Sequence, residues 1–384
     1  MTSFVAINFN SHYLMRVSKV KFNTQIQPDF FKVLRDRVNN YFDENQITRF
    51  ANAKMKFKTV FMLSLYFIPW ILMLTGLIQT VPMVYLMWVL MGLGMSGIGL
   101  SIMHDANHGA YSKKKWVNKS LGFMLNFLGG YHLNWRIQHN VLHHSYTNID
   151  GFDEDIQTKL MRFSPLQKRK WMHRFQAFYA PFFYSLMSIY WLISKDFEQL
   201  ARYNKKKLLS TQDITLKKAI MEVIINKLWY IGLFIVLPLI LIPVAWFHIL
   251  IGFMIMHFIT GLALALIFQP AHVVEDSSFF APDEDMRIDN NWAIHQMQTT
   301  ANYAHGSKLF SWFIGGLNYQ IEHHLFPNVC HIHYNKISKI VRETAAEYGV
   351  AYRQHKTFFG ALRSHFVLLN QLGTGAYDKK LAKA

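Results

Sequence analysis

Two long stretches of this chain, Thr59–Met103 and Leu228–Met286, contain no Lys or Arg. Most of each is apolar, and runs of about 18 or more such residues are long enough to cross a bilayer. The first stretch predicts two helices, Val60–Leu77 and Val81–Met103, parted by an uncharged turn that holds Thr80 and Pro82. The apolar block Leu228–Phe268 is too long for one helix and right for two. Pro238, Pro243 and the Trp246–His248 region offer a break, giving spans of roughly 228–247 and 249–269.

Two shorter apolar segments, Ser120–Trp135 and Phe175–Ile193 with Pro181 inside it, are expected to lie in the interface or re-enter it. Their Tyr and Trp content suits that position. A crossing by either would put the histidine clusters described below on opposite faces. Asp29–Phe42 carries Phe30, Leu34, Val38, Tyr41 and Phe42 at helical spacing, so it reads as an amphipathic helix lying on a cap or on the membrane. Tyr334–Tyr348 reads the same way. The domain reading is a cytoplasmic segment over 1–58, a membrane domain over 59–352 and a cytoplasmic tail over 353–384. Neither an internal repeat nor a low-complexity tract interrupts it.

Charge strengthens the membrane assignment. The chain has 384 residues, 52% hydrophobic and 16% aromatic, with a net charge of +17. Ten Lys/Arg precede the first apolar stretch, nineteen lie between Lys113 and Lys227, and eleven follow from Arg287, accounting for all 40. The short connections within the apolar stretches hold none, so the three basic regions are expected on the cytoplasmic side. This spread over membrane flanks, rather than over one recognition element, argues against nucleic-acid binding. No continuous apolar run marks a signal peptide in Met1–Asn23. The single cysteine, Cys330, excludes an intramolecular disulfide and reads as a buried structural residue.

Chemistry concentrates in three histidine clusters beside the apolar runs: His104-Asp-Ala-Asn-His108, His139-Asn-Val-Leu-His143-His144 and Gln320-Ile-Glu-His323-His324. His104 and His108 share a helix face at i, i+4 and can reach one ion. His139 and His143 repeat that spacing, while His144 points about 100° away and can serve a second ion. His323 and His324 diverge likewise. Seven imidazoles exceed what one ion takes, and His272, just past the fourth span, can supply an eighth. The isolated His12, His248 and His257 read as snorkelling or capping residues. His295, His305, His331 and His333 read as hydrogen-bonding or substrate-contacting groups. An all-nitrogen set suits Zn, Cu, Fe or Ni by ligand type; O₂ chemistry at an open two-metal site favours iron. Asp105, Asp153, Glu154, Asp155 and Glu322 are close enough in sequence to orient ligands.

Gly92-Leu-Gly94-Met-Ser-Gly97 matches a dinucleotide fingerprint only as a string, because it lies inside an apolar run and follows no strand. Gly92, Gly94, Gly97 and Gly99 are better read as permitting close helix packing. Reducing equivalents must then come from another protein.

At these residues the chain resembles the membrane fatty acid desaturases, whose boxes read HxxxH, HxxHH or HxxxHH, and [HQ]xxHH. The resemblance runs from about Val60 to Tyr352 and takes in Trp135-Arg-Ile-Gln-His139-Asn, Tyr146-Thr-Asn148 and Gly315-Gly-Leu-Asn-Tyr-Gln320. Glutamine opening the third box is similar to the front-end subgroup, which inserts a double bond between the carboxyl end and an existing one. The His-Pro-Gly-Gly haem motif of fused cytochrome b5 domains is absent, as in stand-alone bacterial acyl-CoA or linoleoyl-CoA desaturases. The resemblance implies an all-α integral membrane protein with four transmembrane helices and a cytoplasmic helical cap holding a diiron site. It implies two iron ions held by His104, His108, His139, His143, His144, His272, His323 and His324, with Gln320 in or near that set. O₂ is the co-substrate, and a cis double bond is inserted into a fatty acyl-CoA or membrane acyl-lipid. A separate ferredoxin, or cytochrome b5 with its reductase, supplies electrons. The bilayer would be a bacterial inner membrane rather than the ER. Family members place an Asn four residues before the histidine at 272, where this chain has Phe268, with Gln269 next. Arg136, Lys168, Arg169 and Arg174 are candidates for holding a head group. A lipid hydroxylase could use the same site, and outside enzymes a divalent-metal transporter or a haem protein could be as His-rich; those would place ligands near mid-span, where only His257 falls.

Overall fold

The computed structural model describes residues 20–382; the expectations for His12 and for residues 1–19 fall outside that range. Helix α1 (Phe30–Glu44) is followed by α2 (Ala53–Leu74) and α3 (Val81–Asn107). A helical run over residues 132–146, α4, is wound as a π-helix from Arg136 to His143. Then come α5 (Trp171–Ser185) and α6 (Met187–Lys205), bent by 60° at their junction, and α7 (Leu216–Leu241) and α8 (Trp246–His272). The cap is completed by α9 (Trp292–Thr299), α10 (Gln320–Leu325), α11 (Tyr334–Glu347) and α12 (Phe358–Thr374). Among the described residues the only strands are two-residue parallel pairs: β1 (Lys21–Phe22) with β2 (Arg287–Ile288), and β3 (Asn302–Tyr303) with β4 (Gln354–His355).

Four helices, α2, α3, α7 and α8, are long and apolar enough to cross a membrane. Their ends differ from the expected ones. Helix α2 starts at Ala53 rather than Val60, capped by Asn52, whose side chain accepts the Met55 N–H. Helix α7 starts at Leu216 rather than Leu228, with Thr215 accepting the Lys218 N–H. The break before α8 is Ile242–Ala245, so Trp246 opens the fourth span. The shifts at α2 and α7 have one cause. Lysines near the expected boundaries are carried on the helix by reaching past the apolar zone or by finding partners, so an uncharged window is shorter than the helix. Lys54 and Lys56 are exposed, while Lys58 is buried with Nζ 2.7 Å from His331 Nε2.

Helix α3 is the centre of the bundle: 78% of its apolar window is buried, against 33% for α2 and 28% for α7. Without a hydrophobic drive between helices in lipid, close approach of small residues supplies the contact. A Cβ on Gly94 would lie 2.6 Å from the Tyr66 backbone nitrogen of α2, so only glycine allows that crossing.

Ser120–Trp135 forms no spanning helix. Lys115–Gly122 is helical, Phe123–Leu128 is a 3₁₀ turn, and Gly129 at φ +86° ends it. Lys227 on α7 fastens this segment by donating to the Gly129 carbonyl (2.6 Å), the Trp191 carbonyl (2.9 Å) and the Asp196 carboxylate.

Helix α1 packs on the cap. Phe30, Leu34, Val38 and Phe42 are buried with Ala293, Met297, Ile321, Ile337 and Val341. The C-terminal stretch expected as a tail contains α12, whose Leu368, Leu369 and Leu372 pack with Tyr184 of α5 and Ala265 of α8.

Removing one partner of a buried ion pair leaves an uncompensated charge and costs about 3–5 kcal/mol. Lys227→Met should therefore lower the thermal midpoint of the detergent-solubilised protein, and Lys227→Met with Asp196→Leu should recover most of the loss. An unchanged midpoint in the single variant would remove this pair from the supports of the fold.

Candidate metal centre

The centre is assembled from the mouth of α3, the π-helical turn of α4, the end of α8 and the short helix α10. A π-turn over Ile98–Ile102 precedes His104. Against that turn lies Gly315, at φ +68°, where a Cβ would sit 2.3 Å from the Leu100 carbonyl oxygen. Gly315 thus lets the chain ahead of the third box lie directly on the turn before the first, while Gly316 packs against His331.

All eight histidines come together, in two groups. His104, His108, His139 and His323 have ligand-capable nitrogens within 4.8 Å of one another, and so do His143, His272 and His324. His144 joins the first group, its Nε2 lying 3.2 Å from His139 Nε2 and 3.0 Å from His323 Nε2. Gln320 lies beside His272, and its amide nitrogen is buried without a partner.

The second box pairs differently from the helical-wheel expectation. His139 and His144 come within 3.2 Å of each other, while His143 groups with His272 and His324 and also lies with Asp155 within 4.8 Å of His139. The π-winding is the reason: the His144 N–H bonds to the His139 carbonyl, so residue i+5 rather than i+4 stacks over residue i. His323 and His324 diverge as expected, one to each group.

The outward nitrogens are held by hydrogen bonds that fix each ring. His143 Nδ1 donates to Asp153, 3.1 Å from each oxygen, with Asp155 at 3.4 Å. His324 Nδ1 donates to Gln296 Oε1 at 2.9 Å, and His272 Nδ1 to the Thr299 carbonyl at 3.3 Å. His323 Nδ1 pairs with the Tyr334 hydroxyl at 3.2 Å. Inward, Nε2 of His108, His272 and His324 are buried with no partner. Burial costs such atoms dearly unless something binds them, so lone pairs converging on two points fit a pair of cations.

The electrostatics agree with that fit. Burial, then neighbouring positive charge, holds His108, His139, His144, His323 and His324 below the usual imidazole range, which keeps them neutral as ligands must be. At His143 burial acts the same way, but Asp153 and Asp155 outweigh it and carry the ring up to about 9. Burial works against the Asp153 charge, yet His143 and the N–H groups of Asn148 and Asp155 hold this carboxyl below its ordinary value.

Other candidate residues are placed elsewhere. Glu154 binds Arg202 and Tyr203, and Glu322 binds Asn302 and Tyr352. Asp105 accepts from His331 Nδ1 at 2.8 Å. His257 sits between Tyr230 and Ser188, His248 against Tyr85, and His295 on the Thr147 carbonyl. His305 stacks on Tyr319, and His333 faces the Phe50 carbonyl. Cys330 is buried. Sequence reasoning missed Gln296, Thr299 and Tyr334 as orienting groups, and no local pattern marks them. Thr147 carried a signal at helical spacing from His143, whose carbonyl it binds at 2.7 Å.

A cavity of about 80 Å³ opens onto His139, His143 and His272. Its walls include Trp135, Ile156, Met187, Trp191, Ala265 and Phe268. The Phe268 ring lies 6.0 Å from the His104 ring and 6.1 Å from that of His139. Aliphatic material entering there meets apolar side chains and then imidazoles.

Comparison with known proteins yields one family. The pattern described as fatty acid desaturase matches residues 80–356. The sn-1 linoleoyl-lipid 6-desaturase of Arthrospira platensis is 36% identical over 95% of this chain and 97% of its own length. The protein of the same description from Synechocystis is 34% identical over 94% of this chain and 99% of its own. An acyl-lipid (8-3)-desaturase of Physcomitrium patens is 35% identical over 90% of this chain and 72% of its own. With a metal-binding histidine centre at the end of a bundle of membrane-length helices, this chain belongs to the fatty acid desaturase family and is a fatty acyl desaturase.

Proposed function

We propose that the protein is a front-end desaturase acting on a linoleoyl chain esterified in a membrane lipid, placing a new cis double bond at position 6. The observation that carries this reading is the gathering of eight imidazoles, seven buried and His108 partly so, into two groups from which His139, His143 and His272 line a cavity. The position and the carrier are supported by what the two cyanobacterial relatives are described as doing.

The ligand assignment is that His104, His108, His139, His144 and His323 hold one iron, and His143, His272 and His324 hold the other, with Gln320 beside the second. Two irons with O₂ would supply an oxidant for unactivated C–H bonds, the balance being two methylene hydrogens, O₂, two electrons and two protons to one alkene and two waters. The chain's own task is placement, because a methylene offers nothing polar to recognise. Trp135, Met187, Trp191 and Phe268 define the walls against which two adjacent carbons are presented. The same walls keep bulk water from the reacting carbons. Asp153 and Asp155 hold the His143 ring in its ligating orientation, and binding of a cation there displaces the proton they stabilise. Electrons come from a separate one-electron carrier, a ferredoxin or cytochrome b5, a reading supported by the one glycine string that matches a dinucleotide fingerprint lying inside helix α3. The centre faces the cytoplasm, the side to which the basic segments are assigned.

Expression in a host supplied with linoleoyl lipid, followed by mass-spectrometric location of double bonds, should give one new bond at position 6. Hydroxylated lipid as the sole product would overturn the reaction assigned. His143→Ala and His323→Ala should each abolish product and lower bound iron while leaving membrane insertion intact; full activity in either removes that residue from the ligand set. Asp153→Asn should cost roughly ten- to hundredfold in metal affinity or activity, as loss of a group that orients a ligand does. A membrane-impermeant amine reagent should label Lys114 and Lys308 from the same face, and labelling from opposite faces would break the topology.

A further inference from the structure

The polar side chains lining the cavity are not all committed. His139, His143 and His272 face the metal centre. Gln138 donates to Asp155 and accepts from Gln199 at 2.7 Å, and Asp155 also faces His143. That leaves the indole N–H groups of Trp135 and Trp191, the latter buried without a partner, and two longer side chains, Lys195 of α6 and Gln269 of α8. Neither side chain makes a hydrogen bond or ion pair among the described residues. Lys195 rests only on the Trp191 ring, its Nζ 4.7 Å from the centroid. Among the described residues it is also the only Lys or Arg lining this cavity, and with Trp135, Gln138 and Trp191 it lines the adjoining smaller one of about 10 Å³.

We infer that Lys195, with Gln269 across the cavity, is the site that binds the ester carbonyl of the acyl substrate and so sets where the double bond falls. This rests on the front-end reading above. A bond introduced near the carboxyl end requires the carbonyl to be held only a few methylenes from the reacting carbons. A hydrogen-bond donor must therefore line the cavity wall close to the histidines. Lys195 meets that requirement, because it shares its wall with Gln138, the residue preceding His139.

The surroundings also choose among acceptors. Asp155, Asp196 and Glu154 are near enough to act on the Lys195 charge. Each is already engaged, Asp196 with Lys227 and Glu154 with Arg202. A phosphate brought to this ammonium would meet those three carboxylates, whereas an uncharged ester oxygen would not. The chemistry therefore fits the neutral carbonyl of an acyl-lipid, with any charged head group outside the cavity.

The test uses the full-length enzyme, a reconstituted electron donor and vesicles of linoleoyl phosphatidylcholine, comparing wild type with Lys195→Met and Lys195→Arg. Loss of one hydrogen bond from a charged donor should lower kcat/KM about tenfold or more in Lys195→Met. Iron content should be unchanged, and part of the product should carry its new bond one or two carbons away from the wild-type position. Lys195→Arg should restore both rate and position, which a merely structural role would not predict. Wild-type kcat/KM and a single unshifted product from Lys195→Met would overturn the inference and leave the desaturase assignment standing. Iron loss in Lys195→Met would also overturn it, by assigning the residue to the fold. No new double bond near the carboxyl end from the wild type would instead remove the front-end reading, and this inference with it.

Discussion

Imidazole nitrogens aimed at one another in a buried volume form an arrangement that a protein interior does not hold for its own sake. Each inward Nε2 presents a lone pair, and neighbours such as His144 and His323 stand 3.0 Å apart. Without a cation between them, the desolvation of each nitrogen goes uncompensated. The outward Nδ1 atoms show that the orientation is imposed, because Asp153, Gln296, Thr299 and Tyr334 turn the rings inward. The rest of the molecule can be understood as the scaffold that sustains this convergence.

That scaffold must bring three separate sequence segments and one helix end to the same place. A bundle of membrane-length helices does so if the chain returns to one face between the first and third boxes, which two spanning hairpins achieve. Rigidity comes from close approach rather than from bulk. Helix α3 carries the first box and is the most buried of the four, crossing α2 at Gly94. Gly315 lays the approach to the third box on the turn that precedes His104. A side chain at either point would spread the elements by more than the tolerance of a ligand set.

The candidate ligands were legible in the sequence because metal binding demands residue types and short spacings that chance seldom produces next to apolar runs. Their grouping was not. An α-helical wheel brings only His143 to His139, whereas the π-turn brings His144 to it as well, and nothing in Arg136–His143 announces that winding. Helix ends lie outside the charge-free windows for an equally physical reason. Charge-free windows end at lysines, but Lys58 and Lys227 are buried on α2 and α7 against His331 and Asp196. The orienting groups Gln296 and Tyr334 lie on other helices, and only the folded chain brings them to His324 and His323.

Chemistry and selectivity consequently reside in different parts of the site. The histidine centre is set by the convergence of its lone pairs and has no means of distinguishing one methylene from another. Discrimination between adjacent carbons can come only from the cavity, where apolar walls fix depth and a polar contact fixes the end of the chain. Apolar contact alone separates substrates differing by one methylene by only about 1–3 kcal/mol, whereas a site that hydrogen-bonds a polar group rejects what lacks it far more strongly. A desaturase that counts from the carboxyl end, as proposed above, therefore needs a donor close to its metal centre, and Lys195 lines the same cavity as His139, His143 and His272.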